Sequence, residues 1–592
     1  MKSSSFHKGK RILFLTGCAL GAVCFLWVYG ARVLNPFYDS WLFNADIDLS
    51  QHYIGFCHYR MSAWHFPIGL IDTLSYPTSM SVIYTDSIPL FALLFKILSP
   101  VLPQHFQYFG LFGILCFMLM GGYSSLLIYR LISGSFAAGE GADNGDGADN
   151  GIVRSRFTFV DRNLAYILSA VCSLIYILSS TMLQRMFYHT SLAAQWLVIA
   201  AMYLWVSRDD YTKWGILIRY AVLGLLCVGI HTYFVPMVGS ILLASSVETV
   251  IRKKSGENSG AAIRDEAGNL IGFCIAGLLT LFAFGGFYGS SSGFGEGIGS
   301  FTANLNTFIN PLYGSIILKP MRILYGFQYE GYAYLGLGVF MLIIAAFVYL
   351  VWALRENGKE SYFKVHLRQA VGLILFIVDL FLAVFPTAAV SDFRIIGVPL
   401  GPALSRMLGV FRSNGRFIWV CEYLIFTWAA VSVIRLLKDL FDKRLKGRDI
   451  ILKIMIVAVL LEVLDFTPVI REKQAYFAKE QEYVNLWDRA GFDAAGKGYD
   501  EFVFLYNENG ILMDTAFYAY LNGAKLNNFY YARNIDDEVN ANIAGWLGEL
   551  RSGTVRDDVV YIIKTEDHDS LSSDIGDMKW YELDKNHMAG VK

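Results

Sequence analysis

Apolar runs of about twenty residues, the length that crosses a hydrocarbon core as a helix, recur from Ile12 to Thr467. A backbone in lipid has to satisfy its own hydrogen bonds, so repeated runs of that length admit helices and exclude open sheets. We read eleven spans, near 12–30, 108–132, 163–182, 191–207, 214–230, 233–251, 268–288, 333–354, 369–388, 415–437 and 449–467. With 55% hydrophobic and 17% charged residues over 592 positions, a single soluble core could not hold the apolar content. The expected fold class is therefore an α-helical polytopic membrane protein. A net charge of −1, with no basic groove interleaved with aromatics, leaves no footprint for nucleic acid.

Lys and Arg set the expected orientation, because cytoplasmic loops carry the excess. Lys2, Lys8, Lys10 and Arg11 hold the N-terminus inside. Arg154, Arg156 and Arg162, then Arg208 and Lys213, then Arg252, Lys253 and Lys254, then Arg355 to Arg368, and finally Lys438 to Arg448 mark alternate connections as cytoplasmic. The stretch Ile88 to Leu102 is short, contains Lys96 and would break this alternation as a span, so it is expected to lie in the outer interface as a juxtamembrane helix. An odd span number then places the C-terminus outside.

The sequence divides into a transmembrane domain, 1–468, and an extracytoplasmic domain, 469–592. Within the first lie an outer loop at 31–107, a cytoplasmic loop at 134–162 and a second outer loop at 289–332. The repeated Gly-Ala-Asp-Asn-Gly of 134–162 cannot bury enough apolar surface to order itself and reads as a disordered tether. Leu15-Thr16-Gly17-Cys18 resembles a lipoprotein processing site, but the apolar run continues past Cys18 to Tyr29, which favours a span. The eight cysteines are scattered and suggest neither a disulfide framework nor a CxxC metal site. In the tail, 501–506 and 558–563 have strand character, while 516–521 and 540–550 suit helices, giving a small α/β domain.

Chemistry concentrates in the first outer loop, which carries Asp39, Asp46, Asp48, His52, Arg60, Asp72 and Asp86 among Trp41, Trp64 and many tyrosines. Carboxylates at a membrane surface can act as general base toward a hydroxyl. They can also hold a divalent metal that neutralises a leaving phosphate. Trp64-His65-Phe66-Pro67 and Tyr76-Pro77 predict broken amphipathic helices lying flat to position the acids. Asp86 either assists through a metal or hydrogen bond or caps the helix that Pro89 opens.

The order Asp48-x-x-Gln51-His52, Gly55-Phe56, Tyr59-Arg60, Trp64-x-Phe66-Pro67-x-Gly69, Tyr84-Thr85-Asp86-Ser87-Ile88-Pro89-Leu90 and Phe106-Gln107-Tyr108 carries a resemblance. So do Tyr188-His189, His231-Thr232-Tyr233, Asn304-Leu305-Asn306, Tyr329-Glu330-Gly331 and Phe411-Arg412-Ser413-Asn414-Gly415-Arg416-Phe417 further on. Together they resemble an uncharacterised family of bacterial polytopic membrane proteins assigned to the GT-C glycosyltransferase superfamily. The resemblance implies a GT-C-like fold in the bacterial cytoplasmic (inner) membrane. It also implies sugar transfer from a polyprenyl-phosphate-linked donor to a glycan, lipid or protein acceptor at the outer face. The catalytic Asp it implies is Asp48, with Asp46 in reserve and Asp86 as assistant; Gln51, His52, Arg60 and Trp64 of the same motif would contact substrate. A divalent cation, Mg or Mn on Asp48 and Asp86, is left open.

A phosphate-linked donor needs cations on the outer side. Arg412 and Arg416, four apart at a span start, would face one way on a helix and could clamp a phosphate, or else snorkel to the interface. Lys319 and Arg322 form a second pair in the outer loop, where Asn304 and Asn306 offer neutral sugar contacts and Tyr329 and Glu330 close the segment. His189 and His231, at outer span ends, are further substrate-binding candidates, or ordinary buried histidines. Asp379, Glu422, Glu462 and Asp465 lie in or near spans and found the rival expectation of a lipid-linked-sugar transporter or flippase. A glycan ligase or polymerase, and a non-enzymatic scaffold, are the remaining alternatives.

Overall fold

A computed structural model gives the architecture; it describes residues 2–44, 47–137, 151–254, 259–288, 297–356, 367–441, 447–493, 498–572 and 578–592. The chain is mostly helical with a small sheet at its C-terminal end. Among the described residues eight helices are long and apolar enough to cross a membrane: Lys8–Tyr29, Phe109–Ser133, Thr190–Asp210, Lys213–Ile230, Phe234–Lys253, Gly260–Ala283, Leu367–Val384 and Asn414–Arg435. This is the pattern of a multi-pass membrane protein. The other three expected spans are helical but do not qualify. Asn163–Ile177 and Leu337–Val348 are the apolar described parts of the helices Gly151–Ile177 and Leu337–Glu356, and Gly447–Asp465 is a helix of 19 residues. Of the expected tether, 138–150 lies outside the described residues and the helix Gly151–Ile177 takes up 151–162.

The Leu-Thr-Gly-Cys segment lies inside the first helix and serves a helix crossing. A Cβ on Gly17 would stand 2.2 Å from the carbonyl oxygen of Gly121, and one on Gly21 would stand 2.1 Å from that of Phe117. The Lys2–Tyr29 and Phe109–Ala137 helices thus meet backbone to backbone, as small residues permit in a membrane. Basic residues that set the expected orientation gather at one end and pair there. Lys10 and Arg130 meet Asp210, Arg252 meets Asp209, and Arg368 meets Glu248.

The acids near the spans have structural partners. Glu462 accepts from the backbone N–H of Gly338 and Val339, and Asp465 accepts from that of Leu337. Together they satisfy donors at the start of the helix Leu337–Glu356 that nothing within the helix could satisfy. Glu422 accepts from the hydroxyls of Ser180 and Thr181, and Asp379 from that of Ser240.

After the amphipathic helix Thr467–Ala478 comes a five-stranded sheet in the order β6-β5-β7-β9-β8. Its strands are β5 (Glu501–Phe504), β6 (Lys525–Leu526), β7 (Val559–Lys564), β8 (Lys579–Glu582) and β9 (His587–Val591). β5 is parallel to β6 and β7, whereas β9 runs antiparallel to β7 and β8. The helices Leu512–Leu521 and Asp536–Arg551 make the two parallel crossovers. The edge strand β6 is covered by the first outer loop: Tyr76 N–H donates to Leu526 O at 2.8 Å and Leu526 N–H to Thr73 O at 2.9 Å. His58 adds a buried contact, with Nε2 2.8 Å from Ala516 O and Nδ1 3.0 Å from the Thr73 hydroxyl. The sheet domain and the first loop therefore share one side of the molecule.

That loop corrects one expectation. The segment 63–81 contains no helix; it is irregular chain with a minimal hairpin of β1 (Leu70–Ile71) and β2 (Met80–Ser81). Pro67 and Pro77 cannot donate to a helix ladder, and the loop's donors turn instead to β6 and to Ala283 O, reached by Ile68 N–H. The helix Pro89–Ile97 does form beside it. It is amphipathic in the reverse sense: Lys96 is buried over the rings of Tyr59 and Trp64, while Leu94 and Ile97 face out.

Candidate functional site

The helix Ile47–Met61 carries Asp48 in its first turn and His52 one turn later. Asp46 lies outside the described residues. Gln51 donates through Nε2 to Tyr530 O at 2.8 Å, which ties this turn to the sheet domain. His52 is wholly buried, and neither ring nitrogen has a hydrogen-bond partner. Burial, followed by the nearby charge of His189, holds its pKa well below the ordinary histidine value, so the ring is neutral. Gly55 matters for what comes next: a Cβ there would stand 2.4 Å from the Thr85 Cβ, so only glycine lets the 82–88 segment lie against the helix.

That close approach brings in Asp86. Its backbone is left-handed at φ 51°, and so is that of Ile88 at φ 54°, a rare state for a β-branched residue. Asp86 does not cap the following helix, whose N-cap is Ile88 without a side-chain bond. Instead its Oδ1 lies 3.5 Å from His231 Nε2. Tyr233 N–H donates to His231 Nδ1 at 3.2 Å, so in the neutral ring the proton sits on Nε2 and points at Asp86. Burial raises the Asp86 pKa to about 6; His189 and Arg416 draw it down, and the carboxylates of Asp48 and Glu330 push it up.

Glu330 joins the halves. Its Oε2 lies 2.8 Å from Arg416 Nε and 3.0 Å from Arg185 Nη2, and its Oε1 lies 3.5 Å from His189 Nε2. His189 Nε2 is in turn 3.6 Å from Asp48 Oδ2. Burial opposes the charge on Glu330, but Arg185, Arg416 and His189 outweigh it and hold the carboxyl well below the usual range. Arg185 is completely buried beside the Trp419 ring, and its Nε and Nη1 lack partners. Two guanidiniums on one carboxylate leave a net positive charge beneath the partly exposed Asp48 and Asp86, whose side chains are 19% and 21% accessible. Tyr530 of the sheet domain stands above them, raised in pKa by burial first and then by the charge of Asp48.

The arrangement offers two carboxylates about one fifth exposed, each facing a histidine, over a buried cationic floor. A proton can be taken up at either acid, and an anion is favoured by the floor. Among the described residues no three His, Cys, Asp or Glu side chains could hold a metal ion. Among the described residues, then, the divalent cation left open above finds no set of ligands, and no step below runs through one.

Residues 18–467 match the family described as a domain of unknown function, DUF6311, and residues 491–589 match the DUF6311 C-terminal domain. The chain belongs to the DUF6311 family. No curated protein matches it. The DUF6311 domain contains Asp48, Asp86, Arg185, His189, His231, Glu330 and Arg416, and the DUF6311 C-terminal domain contributes Tyr530. The cluster is therefore assembled across both parts of the family's architecture.

The other expected site residues lie in the DUF6311 domain, some at the cluster and some away from it. Arg412 and Arg416 do not share a helix face, because the chain bends at 412 and 414–417 is a 3-10 turn. Arg412 is exposed over the Phe301 ring, while Arg416 is buried on Glu330 and lies over Tyr233. Asn304 and Asn306 are buried and hold the loop itself: Asn304 Nδ2 donates to Gln328 Oε1 and Ser391 O, and Asn306 Nδ2 donates to Arg322 O. Arg60 ties the helix Ile47–Met61 to the carbonyls of Leu102, Pro103 and Gln104 near the end of the first loop. Trp64 is exposed beside Lys96, and Lys319 and Arg322 are exposed, with Arg322 paired to Asp392 at 3.1 Å. Tyr329 meets Tyr188 hydroxyl to hydroxyl at 3.3 Å. Arg185 was missed from sequence; an arginine just before His189 on a side otherwise poor in basic residues was the available signal.

Proposed function

We propose that this DUF6311 protein is a GT-C-type glycosyltransferase that moves a sugar from a polyprenyl-phosphate-linked donor to an acceptor hydroxyl at the outer face of a bacterial cytoplasmic membrane. The observation that carries the reading is the pairing of Asp48 with His189 and of Asp86 with His231 above the Glu330, Arg185 and Arg416 cluster. Asp48 takes the proton from the acceptor hydroxyl as its oxygen bonds to the anomeric carbon. The bond from that carbon to the phosphate oxygen breaks, and polyprenyl phosphate leaves with the electron pair. Arg412, exposed and near enough to Tyr530 for its charge to lower that phenol's pKa, meets the departing phosphate. Arg416 and Arg185 hold Glu330, which positions His189 and through it Asp48.

Topology supports an outer site. The first loop and the sheet domain share one side, so the number of crossings between them is even. Seven of the eight apolar helices lie in that interval, an odd number, and the helices Gly151–Ile177, Leu337–Glu356 and Gly447–Asp465 raise it to ten among the described residues. The total is then eleven among the described residues, and the excess of Lys and Arg before the first span, at Lys8, Lys10 and Arg11, supports reading the shared side as the outer one. The transporter reading has less to stand on, since Glu462 and Asp465 cap a helix and Glu422 is held by two hydroxyls.

The test begins in a deletion strain, where the lipid-linked sugar that accumulates identifies the donor class. Asp48→Asn should leave expression and membrane insertion intact and slow clearance of that lipid by about 10²–10⁴, the range for loss of a general base. Clearance at the wild-type rate would remove Asp48 from the reaction.

A further inference from the structure

The connection 385–413 leaves the end of the span Leu367–Val384 and returns as the span Asn414–Arg435 begins. It forms an antiparallel hairpin of β3 (Thr387–Val390) and β4 (Phe393–Gly397), followed by the helix Pro402–Gly409. Every residue of β4 is exposed. Phe393 is 71% accessible, Ile395 50% and Ile396 55%, so apolar side chains stand open on both faces of the strand. Met407 on the helix is 64% accessible. An isolated two-stranded hairpin is marginal in water, and one with both faces apolar and bare is worse still.

Two constraints place it. Leu305 N–H donates to Ala389 O and covers the outer edge of β3, whereas among the described residues β4 keeps an open edge. Open backbone donors and acceptors exclude the acyl core. The bare apolar side chains exclude bulk water. The headgroup layer satisfies both, and the exposed cations Arg394 and Arg406 fit its phosphates.

We propose that the β3–β4 hairpin and the helix Pro402–Gly409 seat in the headgroup layer of a leaflet containing anionic lipid, with Phe393 and Ile395 toward the acyl chains and the arginines at phosphate level. The hairpin then anchors the loop that carries Glu330. Asn304 holds its turn by accepting from Ser391 N–H at 3.0 Å and donating to Ser391 O at 2.8 Å, and Asp392 pairs with Arg322. This placement does not depend on which reaction the site performs.

The test uses the full chain in lipid nanodiscs. Cys274, the exposed cysteine among the described residues, is first replaced by serine; the other seven are buried. Nitroxide labels are then placed singly by Phe393→Cys, Ile395→Cys and Met407→Cys, exposed positions where the fold is not at stake. In bilayers containing phosphatidylglycerol, labels at 393 and 395 should collide with oxygen at least several-fold more than with an aqueous nickel chelate, and this ratio should fall in pure phosphatidylcholine. A ratio like that of a water-exposed label in both bilayers would overturn the proposal. An equal ratio in the two lipids would overturn the anionic preference. Spin–spin broadening that vanishes on dilution with unlabelled chain would assign the face to a second copy instead.

Discussion

Asp48 and Asp86 carry the same side chain in different surroundings, and the difference is testable without any substrate. Burial raises the Asp86 pKa to about 6, above its value in an unfolded chain, so the fold binds that proton more tightly. The ionised form therefore costs stability above pH 6, and the cost vanishes as pH falls toward 4. Asp86→Asn should raise the unfolding temperature at pH 8 and change it little at pH 4; equal shifts at both would contradict this. The residue-level chemistry was only partly legible beforehand. Asp48, His52 and Asp86 fall in one loop and one motif, so they could be singled out. Arg185 could not be matched with Glu330, because the two are 145 positions apart and neither local spacing nor hydropathy links them.

At the scale of elements, helix existence follows from run length and helix contact from small residues. Gly17 shows the second. Its missing side chain lets the Lys2–Tyr29 helix touch the backbone of Gly121, so Gly17→Leu should lower stability by about 1–3 kcal/mol through overpacking. Gly268→Leu, where a Cβ meets nothing within 4 Å, is the control and should be close to neutral. Thermal unfolding of the two variants in one detergent separates them, and equal losses would refute the crossing. The flat helices expected at Trp64 and Tyr76 failed at this scale for a physical reason. Aromatic residues beside proline suit an interfacial helix, but the prolines left backbone donors that found partners in β6 and in the Gly260–Ala283 span.

Across the whole molecule, the sheet domain closes over the first loop through His58, Thr73, Tyr76 and Gln51. Burial lowers the His58 pKa to about 4 and that of His52 well below the ordinary value. Both rings are neutral in the fold, whereas an unfolded chain would protonate them from about pH 6.5 downward. Stability at this junction is thus complete above pH 6.5 and lost as pH falls toward 4, for His58 by up to about 3 kcal/mol. Hydrogen exchange over 516–526, corrected for its intrinsic pH dependence, should rise across that window, and His58→Gln should flatten the rise. Protection that stays constant from pH 7 to 4 would argue against the junction.

Membrane character, helical class, the sheet-bearing tail and the loop that holds the acids could all be read along the chain. Each of these depends on run length, periodicity or charge count within a few neighbouring residues. It took the packed molecule to bring Arg185, Arg416 and His189 onto Glu330, to part Arg412 from Arg416, and to set Asn304 against the hairpin turn at Ser391. Those outcomes depend on which distant segments share a buried volume. There an unpaired charge is costly and an available partner is taken, wherever along the chain it lies.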